Sequence, residues 1–157
     1  MDGAHNPDGA EALRAALRFG APVSDPARPD WKPAGSETGA PFALILGILG
    51  DKNCRAMCDI LAPLAARILL VPVKSERTAA PAELAEFCRV ANPAAAVTSC
   101  GYLSEALAQT ASEAFVVIAG SLYLIGEAME LLQLTAAPER DEKNLNEWRP
   151  AMVPNRG

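Results

Sequence analysis

The sequence predicts an α/β fold of the Rossmann-like kind, with a mostly parallel sheet and helices on both of its faces. Three continuous apolar runs, at residues 42–48, 68–73 and 114–119, are typical of parallel strands that are buried on both sides. Segments with helical spacing of apolar residues separate these runs, and this alternation implies right-handed crossovers. Aromatic residues make up only 5% of the chain, which fits this class better than a β-sandwich.

The remaining elements follow from capping residues and prolines. Asn6 and Pro7 predict an N-cap and a first helical position, opening a helix over residues 8–18. Residues 19–41 contain five prolines and are predicted to form a long surface loop. Pro63 is expected to end or kink a helix over 52–67. Further along, we expect helices at 81–90, 104–112 (with Ser104 as N-cap) and 121–132, and a short strand at 95–98.

The chain opens directly on a loop-to-helix transition. A βα unit should have a strand ahead of that loop, so the predicted fold lacks its first strand or strands. A length of 157 residues suits one domain, which we place at residues 1–134. The charged segment 135–157, which contains Pro150 and Pro154, is predicted to be a peripheral tail. Either the chain is a fragment, or its first residues follow another part of a larger protein.

Composition excludes several classes of function. The net charge of −5 and the absence of a basic run argue against binding to nucleic acid or to an anionic membrane. The polar start does not resemble a secretory signal, and no apolar stretch is long enough to span a bilayer. The four cysteines contain no CxxC pair, so we expect reduced thiols, no metal site and a cytoplasmic location.

Polar residues collect where the predicted strands end. In a parallel α/β sheet the ligand site lies beyond the carboxyl ends of the strands. Asp51 and Lys52 follow the first strand and suit a zwitterionic or phosphorylated ligand. The alternative is that Gly47 and Gly50 mark nothing more than a tight strand-to-helix turn. Arg77 follows the second strand, and its guanidinium can make two parallel hydrogen bonds to a carboxylate. The alternative is that it is an exposed surface arginine. Ser121 follows the last strong strand and either binds a ligand or caps a helix.

The start of the chain carries a second candidate site. The segment Asp-Gly-Ala-His-Asn-Pro (residues 2–7) places a carboxylate, an imidazole and an amide at a helix start. Asp2 can accept hydrogen bonds from ribose hydroxyls, and His5 can donate to phosphate oxygens. No GxxxxGK[ST] phosphate loop is present. A nucleophile–base arrangement for covalent catalysis is also missing, because His5 is the only histidine.

Three motifs together resemble one family. They are Asp-Gly-Ala-His-Asn-Pro at 2–7, Gly-Ile-Leu-Gly-Asp-Lys-Asn at 47–53 and Gly-Ser-Leu-Tyr-Leu-Ile-Gly-Glu at 120–127. In this order they are similar to the carboxy-terminal domain of folylpolyglutamate synthase/dihydrofolate synthase, in the Mur ligase superfamily. The resemblance covers residues 2–132.

The resemblance implies a reaction and a set of roles. ATP phosphorylates a carboxylate of a pteroate or folate, and the amino group of glutamate attacks the acyl phosphate. Asp2, His5 and Asn6 would lie near the ATP, with His5 as the catalytic candidate. Asp51 and Lys52 would line the cleft, while Arg77 and Ser121 would face glutamate; Arg55 or Lys74 could replace Arg77.

The family's phosphate loop and most of its Mg²⁺ ligands belong to an amino-terminal ATPase domain that this chain lacks. We therefore expect the chain alone to be inactive. Two other interpretations stay open: a Mur-type domain that adds an amino acid to a cell-wall precursor, and a stand-alone binding module without catalysis. The motif at residues 120–124 argues against the first of these.

Overall fold

The computed structural model describes residues 4–19 and 42–134, and the predicted loop at 19–41 and tail at 135–157 lie almost wholly outside this part. The helices are α1 (Pro7–Phe19), α2 (Cys54–Leu61), α3 (Pro81–Ala91), α4 (Leu103–Gln109) and α5 (Leu122–Leu131), and a short 3₁₀ turn (Ala62–Leu64) follows α2. The strands are β1 (Ala43–Leu46), β2 (Arg67–Leu70), β3 (Ala96–Ser99) and β4 (Val116–Ala119).

The four strands form one parallel sheet in the order β3-β2-β1-β4. The predicted α/β class and the parallel sheet are therefore confirmed. All four residues of the central strand β1 are buried, as its unbroken apolar sequence predicts. Within residues 4–19 and 42–134, α1 is the first element along the chain.

Helices cover both faces of the sheet. Strand side chains alternate between two apolar clusters, as the period of two requires: Leu44 and Leu46 of β1 belong to one, and Ile45 to the other. The first cluster joins the sheet to α1, α2 and α3, and the second joins it to α4 and α5. Each fully buried Leu or Ile contributes about 1.5–3 kcal/mol relative to an exposed one, so these two layers hold the fold together.

Several predicted boundaries differ from the structure. The helix predicted over 52–67 ends at Leu61, because a 3₁₀ turn that contains Pro63 begins at Ala62 and Arg67 already belongs to β2. Ser104 is not an N-cap: α4 begins one residue earlier, at Leu103. The start of α4 is instead supported by Glu105, whose carboxylate accepts a hydrogen bond from the Gly101 amide at 2.7 Å. None of the described helices is long and apolar enough to cross a membrane.

Candidate functional site

The loops that follow β1 and β2 are joined by backbone hydrogen bonds at the carboxyl edge of the sheet. Leu49 and Thr78 form an isolated antiparallel bridge. The Gly50 amide donates to the Arg77 carbonyl at 2.6 Å, and the Ala79 amide donates to the Ile48 carbonyl at 2.9 Å. Sequence patterns did not predict this pairing, because it joins two irregular segments. Its consequence is that the polar residues of the two loops lie side by side.

Asp51 and Arg77, predicted separately from the sequence, meet in this paired segment. The Arg77 guanidinium lies 3.1 Å from an Asp51 carboxylate oxygen, and the two side chains are 58% and 43% exposed. An ion pair this exposed contributes about 0–1 kcal/mol to stability, so its main effect is to orient the two groups. A guanidinium has five N–H donors, and this contact leaves several of them available for a ligand.

Lys52, the next residue, makes no ion pair with any described side chain. Its side chain is exposed, whereas its amide is fixed by donating to the Leu49 carbonyl at 3.1 Å. Asn53 then caps α2, with its side-chain oxygen accepting from the Ala56 amide at 3.1 Å. The backbone around Lys52 is thus held by hydrogen bonds, whereas its ammonium forms no ion pair with a described side chain.

Two glycines let the ends of β1, β2 and β4 approach each other closely. Gly120 has φ of +113°, and a Cβ atom there would lie 2.5 Å from the Gly47 carbonyl oxygen. A Cβ atom on Gly47 would lie 2.9 Å from the Val71 carbonyl oxygen. Both positions therefore need glycine, for conformation at Gly120 and for space at each. Ser121 follows this junction directly, and Gly47 begins the segment that carries Asp51.

Ser121 begins α5 and is buried. Its hydroxyl oxygen accepts a hydrogen bond from the Tyr123 amide at 3.3 Å. The structure thus shows the helix-capping role that the sequence left open for this residue. No described contact joins its hydroxyl to Asp51, Lys52 or Arg77.

An ion pair between Lys74 and Glu127 was not predicted from the sequence. Lys74 follows β2, and its ammonium lies 3.1 Å from a carboxylate oxygen of Glu127 in α5. The Glu127 side chain is only 9% exposed, whereas that of Lys74 is 73% exposed. A groove of about 560 Å³ runs along α5 beside this pair, lined also by Leu122, Tyr123, Gly126 and Glu130.

The residues before α1 are only partly described. Asn6 is the predicted N-cap: its side-chain oxygen accepts from the Gly9 amide at 2.7 Å, and its carbonyl accepts from the Ala10 amide. His5 beside it is exposed, and α1 packs against α2. Asp2 lies outside the described residues, so its predicted place near a nucleotide stays a prediction.

The cysteines of the first cluster are free thiols, and Cys58 and Cys88 are buried between α2 and α3. The hydrogen bond between these two thiols and their burial raise the pKa of Cys58. Burial also raises the pKa of Cys54, which reaches the Leu49 carbonyl at 3.5 Å. Within residues 4–19 and 42–134 there is no group of three His, Cys, Asp or Glu side chains that could hold a metal ion.

Comparison with solved structures connects this fold to a class of ligases. The chain is similar to folylpolyglutamate synthase from Thermotoga maritima, with 28% identity and a TM-score of 0.66, over 88% of this chain and 28% of that one. It is also similar to E. coli FolC in complex with DHPP and ADP, with 19% identity and a TM-score of 0.66, over 85% of this chain and 28% of that one.

A third similar structure is the bifunctional folylpolyglutamate synthase/dihydrofolate synthase from Yersinia pestis, complexed with AMPPNP and a Mn ion. It has 20% identity and a TM-score of 0.63, over 85% of this chain and 28% of that one. No protein-family model and no curated protein matches the sequence. The resemblance inferred from the three motifs is confirmed: the chain has a fold found in these synthases and spans about 28% of their length.

Proposed function

We propose that this chain is the carboxy-terminal domain of an ATP-dependent ligase that adds glutamate to dihydropteroate or folate. The observation that carries this proposal is the similarity to the Thermotoga maritima synthase over 88% of the chain. Two of the three motifs that suggested the family lie fully within the described residues, at the carboxyl edge of the sheet, where this fold class binds ligands. The nucleotide complexes of the similar structures support ATP as a substrate.

In the proposed reaction a carboxylate oxygen of the pteroate or folate attacks the γ-phosphorus of ATP, and ADP leaves. The amino nitrogen of glutamate then attacks the acyl carbon, phosphate leaves, and the amine loses its proton as the amide forms. Such a reaction depends on positioning and on charge stabilisation more than on a protein nucleophile. The proposed reaction therefore does not require a second histidine to activate a protein nucleophile.

The role of this domain in the reaction is to hold glutamate with its amine free. Lys52 is suited to one carboxylate, because it carries a charge that no described partner neutralises. Arg77 is suited to the other, because Asp51 fixes its guanidinium at 3.1 Å and leaves donors available. Ser121 contributes the start of α5, whose backbone amides and buried cap border the same edge. Lys74 is an alternative to Arg77, although Glu127 neutralises its charge.

The nucleotide is contacted from this side by the segment that precedes α1. Asp2 binds the ribose hydroxyls, and His5 and Asn6 lie toward the phosphates, with His5 donating a hydrogen bond to a phosphate oxygen. Asn6 also caps α1 through its side chain, so its contribution is to fix the helix start. The phosphate loop and most Mg²⁺ ligands come from an amino-terminal ATPase domain, which makes the 157-residue chain inactive alone. The parent protein acts in the cytoplasm.

The test is a substrate comparison with the full-length polypeptide. Purified protein is given ATP, Mg²⁺ and labelled glutamate with dihydropteroate, with a tetrahydrofolate, or with a muramoyl-peptide precursor of the cell wall. The proposal expects glutamate in the first or second product. Incorporation only into the cell-wall precursor would assign the chain to another ligase class, and no incorporation with any acceptor would favour a binding module.

A further inference from the structure

The carboxyl ends of β1 and β4 lie side by side, and the helices that follow these strands pack on opposite faces of the sheet. α2 follows β1 and belongs to the first apolar cluster, whereas α5 follows β4 and belongs to the second. Two such helices diverge from adjacent strand ends and leave a crevice, which is where open α/β sheets bind ligands. Leu122 and Tyr123, which line the groove along α5, begin that helix just after the end of β4.

Glu127 lies in this groove and is more buried than its ion-pair partner explains. Among the carboxylates in the described ion pairs it is the least exposed, at 9%, while the side chain of its partner Lys74 is 73% exposed. Burying a carboxylate is unfavourable, and a lysine that stays largely in water offsets only part of that loss. Apolar side chains commonly fill such positions without loss of stability. A role in binding or catalysis therefore explains this carboxylate better than a role in folding.

A single turn connects Glu127 to the residues proposed to hold the carboxylates of glutamate. The turn carries both Lys74 and Arg77, and the Val73 amide closes it by donating to the Thr78 hydroxyl oxygen at 2.8 Å. Arg77 pairs with the loop that follows β1, and Lys74 reaches Glu127 in α5 at 3.1 Å. The same turn thus borders both the loop that carries Lys52 and the groove along α5.

The proposed reaction needs a base. At neutral pH the amine of free glutamate carries a third proton and has no electron pair for attack on the acyl carbon. A carboxylate within hydrogen-bond reach of the amine can accept that proton. Asp51 is poorly suited, because it is paired with Arg77 and is 43% exposed. Glu127 is better suited, because it is buried and lines a groove to which Leu122 and Tyr123 contribute apolar surface.

We propose that the groove along α5 receives the amino group of glutamate and that Glu127 accepts its proton. This inference rests on the proposed function. One proton passes from the ammonium to the Glu127 carboxylate, and the freed electron pair of the nitrogen forms the bond to the acyl carbon. The acyl C–O bond then breaks, and the departing phosphate takes the second proton from the nitrogen. Lys74 holds the Glu127 carboxylate in place, and the apolar walls keep water from the amine.

Hydroxylamine separates this proton transfer from the phosphorylation that precedes it. It is uncharged at neutral pH, so it attacks an acyl phosphate without first giving up a proton, and it forms a hydroxamate that is measured by its colour with iron(III). The full-length polypeptide is given ATP, Mg²⁺ and dihydropteroate, with either labelled glutamate or hydroxylamine. In Glu127→Gln we expect kcat with glutamate to fall about 100-fold or more, as for loss of a general base. Hydroxamate formation should keep the rate of the unsubstituted protein.

Glu113→Gln is the matched control. Glu113 also forms a partly buried ion pair, 3.3 Å from Arg67, but this pair lies where β2 and β4 begin, at the opposite edge of the sheet. The control variant removes a paired carboxylate far from the groove and should leave both activities unchanged.

The two nucleophiles distinguish the possible failures. Loss of both activities in Glu127→Gln would make Glu127 a structural residue, and a raised KM for glutamate with unchanged kcat would make it a binding group only. Either result overturns the inference, as does undiminished activity with glutamate. If the unsubstituted polypeptide forms neither the glutamate product nor the hydroxamate, the proposed function itself fails, and this inference fails with it.

Discussion

Replacing Gly120 with alanine tests the junction that brings the strand ends together. The new Cβ atom would lie 2.5 Å from the Gly47 carbonyl oxygen, and the backbone φ of +113° is one that side chains rarely adopt. Unfavourable backbone conformations of this kind cost about 1–3 kcal/mol, and the clash with a rigid backbone atom adds to that. We therefore expect Gly120→Ala to lower the free energy of unfolding by about 2–4 kcal/mol.

The matched control is Gly126→Ala, six residues further along the chain in α5. A Cβ atom at that position meets no atom within 4 Å, and the residue is helical. Alanine is favoured over glycine in a helix by about 0.5–1 kcal/mol, so this variant should be more stable than the parent chain. Replacing glycine with alanine is thus expected to lower the free energy of unfolding at position 120 and to raise it at position 126.

Thermal unfolding followed by circular dichroism measures both variants. At about 4 °C per kcal/mol, Gly120→Ala should lower the Tm by roughly 8–16 °C, and Gly126→Ala should raise it by roughly 2–4 °C. If the two variants had similar Tm values, the close approach of β1 and β4 at Gly47 would be wrong. The described position of Ser121 beside that junction would then be wrong as well.

Three further predictions concern ligand binding and the buried thiols. In the full-length polypeptide, Arg77→Lys should raise the KM for glutamate much more than that for ATP, because a lysine ammonium cannot make the two parallel hydrogen bonds that a guanidinium makes to a carboxylate. Arg89→Lys, in the exposed ion pair with Glu86 on α3, is the control, and equal effects of Arg77→Lys on both KM values would contradict this role of Arg77. Asp2→Ala or His5→Ala should lower kcat/KM for ATP by an amount equivalent to about 1.5–3 kcal/mol, the usual cost of a lost charge-assisted hydrogen bond. Unchanged steady-state kinetics for both variants would show that these residues serve only as the start of a helix. Because the pKa of Cys58 is raised on folding, the stability it contributes is complete below the unfolded thiol pKa of 9.0 and is lost as pH rises above it. Urea titrations from pH 7 to 10 should therefore show a free energy of unfolding that declines as pH rises, and the decline should be smaller in Cys58→Ala. A free energy of unfolding that does not change with pH would contradict this prediction.

Much of the fold was predictable from local patterns. The apolar runs identified β1, β2 and β4, because strands buried on both faces have no polar alternation to obscure them. Asn6 and Pro7 predicted the start of α1, and the hydrogen bond to Gly9 confirms it. The errors fell at boundaries such as Ser104, where the helix begins one residue earlier and the Glu105 carboxylate accepts a hydrogen bond from the Gly101 amide.

The arrangement of the site was less predictable, because it depends on contacts between distant segments. Asp51 and Arg77 were each identified as candidates, yet their 3.1 Å contact follows from the bridge between Leu49 and Thr78, which no local pattern encodes. The pair of Lys74 and Glu127 was missed for the same reason. Parallel topology predicted which loops share an edge of the sheet, but not how their side chains pair.

We propose that this chain is one domain of a glutamate ligase whose nucleotide site lies mainly in another part of the full-length polypeptide. The most direct measurement is incorporation of labelled glutamate into a folate acceptor with ATP and Mg²⁺, comparing the purified 157-residue chain with the full-length polypeptide. We predict product from the full-length protein and none from the chain alone, because the sequence contains no loop that could cradle a triphosphate. Product from the chain alone, or none from the full-length protein, would contradict the proposed function.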